Sequence, residues 1–197
     1  MRLSNISKTY GDIVVFKNLS AELPNGTVTQ ITGESGCGKT TLLRIIAGLE
    51  DFSGEITERP SGKISAVFQE DRLFEELSAL ENCHIVLKGK PPFDIAEALI
   101  STGLSGEDIT RPVKELSGGM KRRTAIVRAL CADFGILLLD EPFKGIDNDN
   151  KCKTADLIKA HTIGKTVLLV THDTATPLEG HSVLDLQGIS KNAQKYF

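Results

Sequence analysis

No apolar run in the chain approaches the roughly 20 residues that a bilayer-crossing helix needs. The longest, such as Ile136–Leu139 and Val167–Val170, have the length of buried strands. Any role at a membrane therefore runs through a partner. Met1–Lys8 is polar-mixed, so the N-terminus carries no apolar signal region. An excess of charge is also missing: 23 basic against 26 acidic residues leave a net charge of −3. That balance excludes a strong electrostatic footprint for nucleic acid, though not a local basic patch. Cysteine is scarce. Cys37, Cys83, Cys131 and Cys152 show neither paired metal spacing nor the density of a disulfide framework, and read as reduced thiols in a cytosolic protein. Internal repeats and low-complexity segments are absent.

What is present is a chain of 197 residues, 40% of them hydrophobic, enough for one domain with a proper core. "DIVVFKN" and "TVTQIT" are β-branched runs separated by the turn-rich "LPNGT", so residues 1–31 read as short strands. "KTTLLRIIAGL" places Leu42, Leu43, Ile45, Ile46 and Leu49 at helical spacing, with Gly48 loosening the end. "KISAVFQ" reads as another strand. Residues 70–109 read as helix-rich, with Leu73, Phe74, Leu77 and Leu80 at helical spacings and a break at Pro91–Pro92. A further helix starts after Ser117. "GILLLDE" and "TVLLVTH" are near-continuous apolar strands of the kind found in a parallel sheet covered on both faces. The alternation predicts an α/β class with a β-rich front and a helical lobe in the middle.

"GESGCGKT", residues 33–40, fits the spacing of a phosphate cradle. Its glycines let backbone N–H groups face a β-phosphate, and the following helix adds its positive end. Lys39 can bridge β- and γ-phosphates, and the Thr40 hydroxyl can hold Mg²⁺. A chance match in a chain of this length has odds on the order of one in a hundred, and the strand before and helix after match the required context. "ILLLDE" delivers Asp140 and Glu141 at a strand end. Alone, such a pair is a solvated turn; beside a phosphate loop, Asp140 suits the Mg²⁺ shell and Glu141 could orient or deprotonate the attacking water. His172 ends "VLLVTH", where it could meet the γ-phosphate or hold that water, although a lone strand-end histidine is usually a satisfied polar residue. Gln69 closes "ISAVFQ" and could complete the Mg²⁺ shell.

With the phosphate loop, "FQE", "LSGGM", "ILLLDE" and "THD" in this order, the chain resembles the ATP-binding subunit of ABC transporters over essentially its whole length. In that family Gly33, Glu34, Ser35, Gly36, Cys37, Gly38, Lys39 and Thr40 match the Walker A loop, with Thr41 as the next phosphate contact. Gln69 matches the Q-loop. Leu116–Met120 matches the signature motif, with Ser117, Gly118 and Gly119 facing phosphate. Asp140 and Glu141 match the Walker B acid and the catalytic glutamate, His172 the H-loop, and Asp147 in "KGID" the D-loop. Tyr10 in "KTYG" matches the aromatic that stacks on adenine. The resemblance implies a single domain over 1–197: a P-loop NTPase core, an antiparallel β lobe over roughly 1–31 and a helical lobe over roughly 71–130. Two departures stand out. Met120 occupies a place where Gln is usual, and the D-loop reads "KGID" rather than "SALD".

The resemblance also implies a mechanism. Two copies pair head to tail, each ATP with its Mg²⁺ pressed between the phosphate loop of one and the signature motif of the other. Hydrolysis releases the grip, which is a population shift driven by differential contacts. Polytopic permease subunits receive the work on the cytoplasmic side of the membrane, with a substrate-binding protein as a further partner. "VFQEDRL" and "LSALENCHI" look most like importer ATPases of the nitrate, sulfonate and taurine kind. The alternative is a soluble ABC-type ATPase acting on nucleic acid or ribosomes, but such chains usually carry coiled-coil or zinc-bearing insertions, and the cysteines lack zinc spacing.

Overall fold

The computed structural model describes residues 1–171, 178 and 182–187. The hairpin of β1 (Arg2–Tyr10) and β2 (Ile13–Glu22) turns at Gly11–Asp12, where Gly11 takes φ +56°. β3 (Val28–Thr32) leads through a glycine-rich loop into α1 (Lys39–Ile46), and β4 (Ser53–Thr57) then pairs antiparallel with β1. The antiparallel sheet, in the order β2-β1-β4, is therefore not confined to residues 1–31. β3 leaves it for the parallel sheet, and β4 joins it from beyond α1. "SGEIT" carries no hydrophobic alternation that announces a strand. Its one mark is Gly54, where a Cβ would fall 2.5 Å from the Asn5 carbonyl oxygen, so the close approach to β1 requires glycine.

β3, β5 (Ile64–Val67), β6 (Ile136–Asp140), β7 (Thr166–Val170) and β8 (Ser182–Asp185) form a parallel sheet in the order β5-β6-β7-β3-β8. Every residue of β6 and β7 is buried. The reason is two-sided packing. Ile136, Leu138, Leu168 and Val170 face α1 and the antiparallel sheet, whereas Leu137, Leu139, Val167 and Leu169 face α4 (Gly118–Cys131) and α5 (Asn148–His161). α1 lies between the two sheets: Leu42, Leu43, Ile45 and Ile46 share one core with Leu3, Ile6, Phe16 and Ile31. Each such side chain withdrawn from water contributes about 1.5–3 kcal/mol. The helix stops at Ile46, and Leu49, beyond Gly48 at φ +72°, is 60% exposed rather than on the buried stripe.

The middle of the chain is helical only in part. α2 (Ala79–His84) and α3 (Ile95–Ser101) pack with Val113, Leu116, Val127 and Cys131 in a third cluster. Residues 70–77 are not helical, despite their spacing. Ser78 caps α2 in a capping box with Glu81, which fixes the start of that helix. The preceding turn is held by the buried Asn82 side chain, which accepts from the Phe74 amide at 2.9 Å and donates to the Ser78 carbonyl at 2.9 Å. Phe74 is left exposed.

Candidate active site

The strand register gathers the chemistry at one edge. Ile31 and Asp140 both lie beside Val170, and Val67 beside Leu139, so the loops that leave β3, β5 and β6 emerge together. In the first loop Gly33, Gly36 and Gly38 take φ +144°, +81° and +100°. At Gly38 a Cβ would stand 2.6 Å from Val15 Cγ1 and 2.7 Å from Phe16 Cζ, so the loop lies directly on β2. The buried Lys39 reaches back over the loop and donates to the carbonyls of Gly33 at 2.7 Å and Glu34 at 2.8 Å. The Cys37 sulfur is 4.0 Å from its Nζ.

Thr40 Oγ1 donates to Asp140 Oδ2 at 2.7 Å, joining the first turn of α1 to the end of β6. Asp140 is fully buried, and its Oδ1 has no hydrogen-bond partner among the described residues. A cleft of about 190 Å³ opens above this pair and brings Ser35, Gly36, Lys39, Thr40, Thr41, Gln69 and Glu141 together. Glu141 adopts φ +51°, an uncommon conformation for a residue with a side chain. Its amide donates to the Val170 carbonyl at 2.8 Å.

A second groove of about 650 Å³ runs on from Gln69 and Glu141 to Gly118, Gly119, Lys144 and Gly145. Ser117 and Gly118 are exposed at the start of α4 and do not line the Lys39 cleft. Ser117 Oγ caps α4 by accepting from the Met120 amide at 3.3 Å, and a Cβ on Gly119 would come 2.8 Å from the Gly145 carbonyl oxygen. Asp147 caps α5. Bonds from the Asn150 amide and side chain hold its carboxyl below the usual carboxylate range, and Arg123 lies 3.8 Å away. Tyr10, at the end of β1, is 42% exposed, with Lys8 Nζ 4.7 Å from its ring centroid, and does not line the cleft. Lys8 and Tyr10 together hold the Glu50 carboxyl below its usual range. His172 lies outside the described residues; the buried Thr171, just beyond β7, is the last described residue before it.

One residue at this edge escapes a motif-based reading. Arg122 is buried, and its guanidinium bonds carbonyls on both the Gln69 and Glu141 loops. The available signal was a charged residue in phase with the apolar stripe of Ala125, Ile126 and Ala129.

A parallel sheet, a glycine-built loop that runs into a helix, and a helix hydroxyl bonded to a strand-end aspartate define a P-loop nucleoside triphosphatase. Residues 16–144 match the family model described as ABC transporter. The chain is 41% identical over 174 residues to aliphatic sulfonates import ATP-binding protein SsuB 1 of Pseudomonas syringae pv. syringae, covering 84% of this chain and 71% of that one. It is also 41% identical over 179 residues to the SsuB of Bacillus cereus, covering 85% and 71%. Among solved structures it matches the dimeric post-hydrolysis state of an ATP-binding cassette bound to ADP and Pi. The TM-score there is 0.79 at 31% identity, with 93% of each chain covered. The chain belongs to the ABC transporter family and is one of its ATP-hydrolysing cassettes.

Proposed function

We propose that this cassette powers a membrane importer, works as a pair, and serves a small organosulfonate cargo. The observation that carries the site is the Thr40–Asp140 bond beside Lys39, in a cleft shared with Gln69 and Glu141. The cargo class is supported by the sulfonate-import relatives, which match most of this chain. In this reading the loop amides and the N-terminal end of α1 bind phosphate oxygens. Lys39 exchanges its two carbonyl acceptors for the anionic oxygens of ATP, a stronger charge-assisted contact.

Thr40, Asp140 and Gln69 would hold Mg²⁺. The residues fit it, because Asp140 Oδ1 is buried without a partner among the described residues, and Mg²⁺ is usually held by one or two carboxylates beside substrate phosphates. Bound there, Mg²⁺ neutralises charge on the phosphate oxygens. Glu141 orients or deprotonates the attacking water, His172 meets the γ-phosphate, and Tyr10 stacks on adenine. Ser117, Gly118 and Gly119 grip the γ-phosphate bound to a second copy, with Asp147 at the contact between copies. The dimeric cassette among the structural relatives supports this pairing. Permease subunits hold the pair at the cytoplasmic face of the membrane, and a substrate-binding protein delivers the cargo.

The test is uptake of a radiolabelled alkanesulfonate into proteoliposomes holding the chain and its permease, loaded with Mg²⁺ and ATP, with the substrate-binding protein supplied outside. ATP-dependent uptake that Glu141→Gln abolishes is expected. Hydrolysis without uptake of any sulfonate would remove the cargo class, and an intact fold without hydrolysis would remove the site.

A further inference from the structure

Arg122 sits in the first half of α4 and is only 4% exposed. Nη1 donates to the Phe68 carbonyl and, at 2.9 Å, to Asp71 Oδ1. Nη2 donates to the carbonyls of Asp140 and, at 2.8 Å, Glu141, while Nε reaches the Pro142 carbonyl at 3.3 Å. Every one of these acceptors lies in the loop after β5 or at the end of β6 and in the loop that follows it. Phe68 and Asp71 flank Gln69; Asp140 and Pro142 flank Glu141. A planar guanidinium with five N–H donors suits such a spread of acceptors, whereas an ammonium does not. The grip is also selective. Three bonds hold the Glu141 main chain at its φ of +51°: its amide donates to the Val170 carbonyl, and its carbonyl accepts from Arg122 at 2.8 Å and from the Lys144 amide at 3.2 Å. Asp71 keeps the buried cation paired.

We propose that Arg122 is a positioning residue for hydrolysis. It fixes the Glu141 backbone, and with it the direction of the carboxylate, and it ties that backbone to the loop carrying Gln69. A displacement of the Gln69 loop is then felt at Glu141 through one side chain. Arg122 does not line the Lys39–Thr40 cleft; it lines the adjoining groove beside Gln69 and Glu141, so its route to the water is through Glu141. The inference rests on Glu141 as the group that acts on the water.

Single-turnover hydrolysis and equilibrium ATP affinity of the full chain test it, for Arg122→Lys, Asp71→Asn, Glu141→Gln and each of the first two combined with Glu141→Gln. Arg122→Lys is expected to slow hydrolysis about 10- to 100-fold, the scale of a small misplacement of a reacting group. Asp71→Asn is expected to slow it about 3- to 10-fold, and both keep ATP affinity within about 2-fold. In the Glu141→Gln background each second change costs less than about 3-fold, because a residue acting through Glu141 has little left to act on. A multiplicative loss in that background, or a parallel loss of ATP affinity, overturns the inference. Should Arg122→Lys fail to fold, Asp71→Asn decides by the same comparison. Wild-type hydrolysis by Glu141→Gln alone overturns the assignment of Glu141, and the inference with it. Normal hydrolysis by both positioning variants overturns the inference alone.

Discussion

Replacing Gly38 with alanine tests whether the phosphate loop depends on bare backbone. Two costs add. Gly38 takes φ +100°, which side chains rarely adopt, at about 1–3 kcal/mol for such strain. The new Cβ would also fall 2.6 Å from Val15 Cγ1 and 2.7 Å from Phe16 Cζ, an overpacking that costs about 1–3 kcal/mol more. At about 2–4 °C per kcal/mol for a chain of this size, Tm should fall by roughly 5–20 °C. Gly36 supplies the control from the same loop. It takes φ +81°, but a Cβ there meets nothing within 4 Å, so Gly36→Ala bears the first cost alone. Thermal unfolding of the nucleotide-free variants, followed by circular dichroism, separates the terms. Equal drops for the two variants would refute the packing of this loop against β2.

Three further outcomes follow from the site. Thr40→Val keeps the shape of the side chain but removes the donor to the buried Asp140 carboxylate, and should cost about 1–3 kcal/mol in urea unfolding of the nucleotide-free chain; an unchanged midpoint would contradict the Thr40–Asp140 bond. Glu141→Gln should bind ATP, hydrolyse it slowly and elute as an ATP-held dimer on sizing; monomers carrying bound nucleotide would remove the pairing. Bonds from the Asn150 amide and side chain lower the Asp147 pKa, and bonds from the Ser78 amide and hydroxyl lower that of Glu81. Their stabilisation is therefore present above the unfolded values near 4 and lost as pH falls through the folded ones. The urea midpoints of Asp147→Asn and Glu81→Gln should differ from wild type near pH 6 and converge with it on acidification; a gap that persists at low pH would refute the linkage.

How much of this was legible in the sequence depended on whether the physics was local. β6 and β7 were readable because burial on both faces demands apolar residues at successive positions, as in Ile136–Leu139. The tight turn between β3 and α1 was readable because its glycines fall within eight residues, 33–40, between a β-branched strand and a helix. β4 was not, since its place depends on a main-chain approach to Asn5 that shows only as one glycine. β8 was not, since it is a four-residue edge strand with Val183 exposed. The spacing of Leu73, Phe74 and Leu77 suggested helix, but the Asn82 side chain holds that segment as a turn. Arg122 was the least legible, because its partners lie 18 to 54 residues away and most are carbonyls, which carry no residue identity.

Position 120 separates two demands that the signature motif combines. The first turn of α4 needs an N–H from residue 120 to reach Ser117 Oγ, and any residue but proline supplies one. By accepting that bond, Ser117 keeps its O–H available to donate outward, and its exposure together with that of Gly118 leaves this end of α4 open. The side chain of residue 120 answers to different neighbours. Met120 packs, half-buried, against the cluster formed by α2, α3 and α4, where a flexible thioether fills space that a glutamine amide would fill only by leaving polar atoms against apolar walls. Methionine in place of glutamine therefore changes the packing of the helical lobe and leaves the outward-facing groups of residues 117–119 as they are.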